Sequence, residues 1–316
     1  MNGVQRPPVW VLMGPTATGK TDLAVELAQT LPCEIISVDS SMVYRGLDIG
    51  TAKPDPATLR RAPHRLIDIC DPCETYSAAR FRDDALRHIE AIHAAGRIPL
   101  LVGGTLLYFR ALLHGLSALP GADAEVRRQL SEILAHDGLG ELHRRLHAVD
   151  PVAAARIHPN DPQRVLRALE VHALTGQSLS SLQRARGEAL ASRAEVLGVA
   201  LFPADRAALH RRIAHRFEAM LASGLIAEVE RLQARGDLDA HLPAVKSVGY
   251  RQIWRYLLGE ITYAEMVEQG IAATRQLAKR QMTWLRQEQS AVFLDPEGLS
   301  FHDKVKFMKQ RFKVLD

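Results

Sequence analysis

The run Gly14-Pro15-Thr16-Ala17-Thr18-Gly19-Lys20-Thr21 constrains this chain more than any other feature. It has the spacing G-x-x-x-x-G-K-[ST] and stands between two contrasting stretches. Residues 9–13 before it are apolar, and Lys20–Thr30 after it carries Leu23, Val25, Leu27 and Ala28. A short apolar run ending in a Gly-rich turn reads as a buried strand, and the following stretch as a helix stopped near Pro32. Glycines allow a backbone to wrap an anion with its N–H groups pointing inward. A helix N-terminus adds partial positive charge, Lys20 adds a full one, and the Thr21 hydroxyl can ligate Mg²⁺. The segment predicts a diphosphate or triphosphate site, without choosing the ligand.

The rest of the chain extends this strand–loop–helix unit. Residues 34–38, 65–69 and 98–102 read as further strands, and 77–95 has helical periodicity with Ser77 as N-cap. Strands alternating with helices imply a parallel sheet covered on both faces. After about residue 120 the pattern turns helical, rich in Leu, Ala, Arg and Glu, with breaks at Asp137-Gly138 and His158-Pro159. Nothing strand-like returns until 195–202. Helices then run from 205 to about 289, and 291–294 reads as a last strand. The organisation is therefore an α/β core, residues 1–120 and 195–316, interrupted by a helical insertion over 121–194.

Charge narrows the partners. Basic and acidic side chains balance over residues 1–204, so the whole net charge of +4 lies in 205–316, which suits a polyanion docking there. No apolar run is long enough to span a membrane, and the short polar N-terminus lacks the apolar core of a signal peptide, so a cytoplasmic location is expected. Of three cysteines, Cys70 and Cys73 form a lone C-x-x-C without the second pair a zinc site needs; they read as incidental.

A phosphate loop usually works with a metal-binding acid at a neighbouring strand end. Here residues 98–102 end in Gly103-Gly104-Thr105 instead, whereas the second strand ends in Asp39. Ligands bind at that edge of a parallel sheet, so Asp39 belongs to the site, and an ordinary ATPase is disfavoured. On residue type alone Asp39 reads as a base, a Mg²⁺ ligand or a cap, and Thr105 as a substrate contact or a helix N-cap.

Longer stretches carry a resemblance. The run from Asp39-Ser40-Ser41-Met42-Val43-Tyr44-Arg45-Gly46 through Leu47-Asp48-Ile49-Gly50-Thr51-Ala52-Lys53-Pro54 is similar to the signature of the tRNA dimethylallyltransferases. Similarity continues at Pro63-His64-Arg65-Leu66-Ile67-Asp68, at Gly103-Gly104-Thr105-Leu106-Leu107-Tyr108 and at Asn160-Asp161-Pro162-Gln163-Arg164-Val165-Leu166-Arg167-Ala168-Leu169-Glu170. It resumes at Val248-Gly249-Tyr250-Arg251-Gln252 and at Lys279-Arg280-Gln281-Met282-Thr283-Trp284-Leu285-Arg286. The motifs keep the family's order from 14 to 286. Met42 stands where many members carry Gln.

The resemblance implies a P-loop NTPase-like core whose loop, Gly14 to Thr21, holds the diphosphate of dimethylallyl diphosphate, with Mg²⁺ at Thr21. The acceptor it implies is the exocyclic amine of adenosine at tRNA position 37, flipped from the anticodon loop into the pocket. Asp39 would take the amine's proton, Lys20 would stabilise the departing charge, and Thr105 would orient the amine or the bridging oxygen. Implied RNA contacts are Asp39, Ser40, Ser41, Met42, Thr105, Arg127, Asp161, Pro162, Gln163, Arg164 and Val165. Further along they are Lys246, Ser247, Val248, Gly249, Tyr250, Arg251, Arg275, Lys279, Arg280, Gln281, Met282, Thr283, Trp284, Leu285 and Arg286.

The C-terminal helix adds a reading from spacing. Thr262 with Glu265 resembles a capping box, and Val267, Ile271, Thr274, Ala278, Met282 and Leu285 would form a buried stripe. Arg275, Lys279, Thr283 and Arg286 share another face, either a cationic ridge for RNA or a solvated surface. Arg127, adjoined by Arg128, likewise reads as an RNA contact or a solvated charge. Arg212 and Arg216 are candidates for extra charge at the diphosphate, Arg216 the better placed. A monomer is expected. Two other readings fit parts of the pattern: a dimethylallyltransferase using free adenylate, which has less need of the insertion and ridge, and a P-loop NTPase serving as a switch or nucleic-acid-binding motor, which would want an acid where Gly103-Gly104 stands.

Overall fold

The structure is a computed structural model that describes residues 6–117, 119–184, 187, 189–288 and 290–312. Residues 1–5 and Gln289, where the sequence places the end of the helical run, lie outside the described residues. The chain begins with β1 (Pro8–Met13), α1 (Lys20–Thr30), β2 (Cys33–Val38), α2 (Pro56–Arg61) and β3 (His64–Arg65). It continues with α3 (Ala78–Ala94), β4 (Ile98–Gly103) and α4 (Leu106–Leu113). Four helices follow: α5 (Ala124–Val149), α6 (Pro151–Arg156), α7 (Pro162–Thr175) and α8 (Leu179–Leu182). The last part holds α9 (Leu190–Arg193), β5 (Glu195–Leu201), α10 (Arg206–Ala222), α11 (Leu225–Gln233) and α12 (Tyr250–Leu257). It ends with α13 (Tyr263–Leu285), β6 (Ala291–Leu294) and α14 (Phe301–Arg311).

The strands form one parallel sheet in the order β3-β2-β4-β1-β5-β6. Alternation along β1 shows why both faces are covered. Val9, Val11 and Met13 enter one core with Ile36, Phe81 and Phe109, while Trp10 and Leu12 enter the other with Leu23, Leu27 and Val199. On the second face the Trp10 ring stacks on Phe312, 4.7 Å between centroids, just beyond α14. That last helix goes beyond the sequence reading, which stops at the strand over 291–294. β1 lies between β4 and β5, with Met13 in register with both Gly103 and Ala200. Its C-terminal end thus opens at the sheet edge where ligands bind in parallel folds.

One expected strand is cut short. Residues 65–69 read as extended, but only His64–Arg65 pairs with β2, opposite Ile35 and Ile36. Leu66 (φ 65°) and Asp68 (φ 56°) adopt left-handed backbone, which ends the strand. The chain then pairs with the 42–45 segment through Ile69 N to Val43 O, 2.9 Å, and Arg45 N to Cys70 O, 3.0 Å.

Contacts divide the chain into residues 1–113 with 190–316, and residues 114–189. Both borders come a little earlier than sequence suggests, because Leu112 and Leu113 still pack in the sheet core and Leu190 already does so. In the second unit, Leu142, Leu146, Ala153, Val165, Ala168 and Val171 form the core. Asp123, Asp150 and Asp161 cap α5, α6 and α7. Gly138, at φ 78° and ψ 171°, kinks α5 at the expected Asp137-Gly138 break.

Candidate active site

The phosphate loop turns directly off β1. Ala17 (φ 61°) and Gly19 (φ 79°) take the left-handed conformation that curls the backbone before α1. The Thr18 hydroxyl donates to Pro15 O at 2.8 Å and Lys20 Nζ to the same carbonyl at 2.6 Å, tying the loop across its mouth. A Cβ on Gly14 would lie 3.1 Å from Leu201 Cβ, so the loop's first residue has little room for a side chain.

Around this loop is a cavity of about 440 Å³ lined by residues 16–22, Ser37, Asp39, Ser41, Met42, Gly103, Gly104, Arg216 and Gln281 among others. Ile213, Phe217, Met220, Leu225 and Leu277 add an apolar wall beside the polar one. Lys20 and Arg216 share the polar region, and neither forms an ion pair among the described residues. Burial, then the neighbouring Arg216 charge, pushes the Lys20 ammonium down to about 7, with Asp39 acting in the opposite sense. Arg216 is lowered too, chiefly by burial, although Asp39 and Asp22 support its charge. Two desolvated cations on a cavity wall form a site short of negative charge. Arg212, the other candidate, is instead paired with Glu297.

The ends of β2 and β4 meet beside these cations. Asp39 Oδ1 accepts from Ser41 N at 2.8 Å and Met42 N at 3.2 Å, which fixes the carboxylate and leaves Oδ2 for other work. Asp39 is therefore a cap on its own turn as well as a cavity residue. Gly103 permits the approach, since a Cβ there would fall 2.0 Å from Val38 O. The Thr105 hydroxyl accepts from Ser40 N at 3.0 Å and donates to Ser40 Oγ at 3.3 Å. It thus braces the two strand ends, and neighbouring Gly103 and Gly104, rather than Thr105, line the cavity. Ser41 Oγ lies 3.0 Å from Ser247 Oγ, and Met42 Sδ 3.9 Å from the Ser37 hydroxyl.

Helix α13 corrects a reading that treated its motif as one surface. The Thr262–Glu265 capping box is present, and Ala278, Met282 and Leu285 are buried as the stripe predicts. Nearer the N-terminus Met266 and Gly270 take the buried positions, with Val267, Ile271 and Thr274 partly covered. Met282 packs with Leu209 and Ile213, and Leu285 joins the sheet core, so neither side chain is available to RNA. Trp284 is partly buried with the Arg110 guanidinium 4.9 Å over its ring. Gln281 turns inward, its amide bonding Thr16 N at 3.0 Å and Gly104 O at 2.9 Å. Lys279, Arg280, Thr283 and Arg286 remain exposed, and the three cations pair with no carboxylate among the described residues. Arg286 lies over Phe202, 5.4 Å from the ring centre. Arg275 is half-buried, its Nε without a hydrogen-bond partner among the described residues.

The segment 246–251 divides similarly. Lys246 and Arg251 are exposed, Ser247 and Val248 line the cavity, and Gly249 and Tyr250 are buried. The Tyr250 hydroxyl donates to Glu228 Oε1 at 2.5 Å, and the same carboxylate accepts Ile49 N at 2.8 Å and Gly50 N at 3.2 Å. Glu228, 2% exposed, thus holds the cavity-lining turn at residue 50, a role no local pattern advertises.

In residues 114–189, Arg127 is exposed yet pinned in place rather than merely solvated. It bonds Glu170 through Nε at 2.8 Å, and Arg167 and Asp123 N meet the same buried carboxylate. Burial acts to raise the Glu170 carboxyl, but the bonds from Arg167 and Arg127 outweigh it and hold it low. Asp161 caps α7 by accepting Arg164 N at 3.1 Å; Pro162, Gln163 and Arg164 are exposed there, whereas Val165 is fully buried. Cys70 is raised by burial and Cys73 by its bond to Asp71, so neither is a reactive thiolate.

Comparison with known proteins places this geometry. A family profile described as IPP transferase matches residues 42–288, and one described as isopentenyl transferase matches residues 7–69. The tRNA dimethylallyltransferase of Alkalilimnicola ehrlichii is 63% identical over 292 residues, 92% of each chain. That of Thioalkalivibrio sulfidiphilus is 61% identical over 295 residues, 93% of this chain and 91% of the relative. Among solved structures, the full-length tRNA isopentenylpyrophosphate transferase of Bacillus halodurans superposes with a TM-score of 0.69 at 37% identity, covering 98% and 97% of the two chains. A eukaryotic dimethylallyltransferase acting on tRNA superposes with a TM-score of 0.79 at 27% identity, over 96% of this chain and 77% of that one. The sheet and loop are those of a P-loop NTPase-like fold.

Proposed function

The chain belongs to the IPP transferase family, the tRNA dimethylallyltransferases, and from that premise we propose how its residues carry the transfer. The reaction moves the dimethylallyl group of dimethylallyl diphosphate to N6 of the adenosine at tRNA position 37, beside the anticodon. The allylic C–O bond breaks, the N6–C bond forms, the amine proton passes to Asp39, and diphosphate leaves. One observation supports this division above all: the desolvated pair Lys20 and Arg216, without ion-pair partners among the described residues, lines the cavity that Asp39 also lines. Cations poised for an anion stabilise a leaving diphosphate most when water is excluded.

Asp39 is oriented before substrate arrives, because Ser41 N and Met42 N occupy Oδ1. Its free oxygen is the acceptor for the N6 proton, a contribution on the order of 10²–10⁴-fold in rate. Thr105, bonded to Ser40, sets the distance between the Asp39 turn and the Gly103-Gly104 edge. The apolar wall of Ile213, Phe217 and Met220 suits a five-carbon group. Thr21, Ser37 and Asp22 put oxygen donors on the same wall, a donor set that fits Mg²⁺. Thr21 would hold the ion, which when bound neutralises charge on the leaving group.

In this reading Lys279, Arg280, Thr283 and Arg286 with Lys246 and Arg251 contact the RNA from the sheet unit, and Pro162, Gln163 and Arg164 are separate contacts of residues 114–189. These cations meet the phosphates of the anticodon stem-loop. In this reading the protein works in the cytoplasm as a monomer. Separately, no described helix is long and apolar enough to cross a membrane. The test is nucleoside mass spectrometry of unmodified tRNA after incubation with dimethylallyl diphosphate, Mg²⁺ and the protein. One adenosine should gain a single five-carbon unit while free AMP gains none. Brisk ATP hydrolysis with no mass added to RNA would overturn the reading.

A further inference from the structure

Gln281 occupies the point where the two halves of this reaction meet. It sits on α13 between Arg280 and Thr283, both exposed, yet its side chain turns into the cavity wall. Oε1 accepts from Thr16 N and Nε2 donates to Gly104 O, so one amide clamps the phosphate loop to the loop after β4. The task needs a donor and an acceptor on one short planar group. Glutamate lacks the donor and lysine the acceptor. Space is reserved for it, since a Cβ on Gly104 would lie 2.4 Å from Nε2.

We propose that Gln281 is a positioning residue that couples RNA docking on α13 to donor binding in the phosphate loop. This rests on reading the α13 ridge as the RNA face and residues 14–21 as the diphosphate cradle. Phosphates held by Lys279, Arg280 and Arg286 restrain the helical turn that carries Gln281. A restrained amide fixes Thr16 N and Gly104 O, so either ligand lowers the ordering cost met by the other. The coupling is positive and reciprocal: RNA tightens the donor by the same factor that the donor tightens RNA.

The test compares affinity for the poorly reactive thiolodiphosphate analogue of dimethylallyl diphosphate, in Mg²⁺, with and without saturating unmodified anticodon stem-loop. For the wild type, RNA should tighten the analogue by a factor within the usual range of about 5–150. Gln281→Leu removes both bonds at similar volume and should bring that ratio to within about twofold of one. Gly104→Ala keeps Gln281 but displaces its amide, the end of a flexible chain, and should lower the ratio likewise. A purely structural role would weaken binding yet leave the ratio unmoved. A wild-type ratio in the folded Leu variant overturns the proposal, as does a ratio of one in the wild type. Should the Leu variant not fold by circular dichroism, Gln281→Glu and Gly104→Ala decide, and wild-type ratios in both overturn it. Transfer by the wild type is assayed in parallel. Its absence defeats the functional reading itself, whereas transfer with an unmoved ratio defeats only the coupling.

Discussion

Lys20 gives the site a pH dependence that separates a desolvated cradle from an ordinary surface lysine. The free ammonium titrates at about 7 rather than 10.5, because burial and Arg216 disfavour its charge more than Asp39 favours it. That displacement is worth about 5 kcal/mol against the charged form at most. At pH 8 about one molecule in ten keeps the Lys20 proton, and at pH 9 about one in a hundred. A bound diphosphate restores the proton, so binding above pH 7 takes one up. Calorimetric titration with a diphosphate analogue should therefore show affinity falling roughly tenfold per pH unit between about pH 7.5 and 9, where the ligand's own charge is constant. Repeating it in buffers of different ionisation enthalpy should count about one proton absorbed at pH 8. Lys20→Arg keeps a fixed charge and should lose the slope. The sign in the free protein is opposite. The folded pKa lies below the unfolded one, so the unfolded chain binds more protons between about 7 and 10.5, and stability should rise with pH across that window. A flat affinity profile for the wild type would refute the reasoning, because Lys20 would then be charged throughout.

Three other outcomes follow from the geometry. Asp39→Asn keeps an acceptor for Ser41 N and Met42 N, so single-turnover transfer should fall by about 10²–10⁴-fold while tRNA affinity, measured by filter binding, changes little; equal losses would remove the base assignment. Lys279→Ala should weaken RNA binding and reduce the slope of log affinity against log salt by about 0.7–1, and an unchanged slope would return Lys279 to the solvated surface. Glu228→Ala leaves Ile49 N, Gly50 N and the Tyr250 hydroxyl without their acceptor, at a cost of about 3 kcal/mol or more. Thermal denaturation should show Tm lower by roughly 5 °C or more, and a drop of under about 2 °C would mean the network relaxes without it.

What the chain declares in its sequence are features carried by neighbours along the backbone. The phosphate loop is legible because glycine spacing, an apolar run and a helical stretch sit within residues 9–30, and the Thr262–Glu265 box because capping is a three-residue affair. Periodicity likewise placed Ala278, Met282 and Leu285 on a buried face. Treating Lys279 to Arg286 as one RNA-binding run contradicted that periodicity, since consecutive residues on a helix point in different directions. The structure sides with the helix, burying Met282 and Leu285, exposing Lys279 and Arg286, and turning Gln281 inward.

The illegible part consists of partners far apart in sequence. Glu228 reaches back 179 residues to Ile49, Gln281 265 residues to Thr16, and Arg127 43 residues to Glu170. A charged or amide side chain on a helix looks the same in sequence whether it faces water or a buried backbone N–H. Only the tertiary fold decides, by removing water and leaving those donors no alternative. The roles hidden from pattern reading are thus those that hold the legible loops in place, even where, as with Thr105 and Gln281, the sequence singles out the residue itself. Glu228 fixes the turn at residue 50, Thr105 the spacing of two strand ends, and Gln281 the phosphate loop itself. In a protein that must bring an RNA base and a diphosphate to one point, that division is expected, because chemistry is supplied by loop residues and its precision by the long-range bonds behind them.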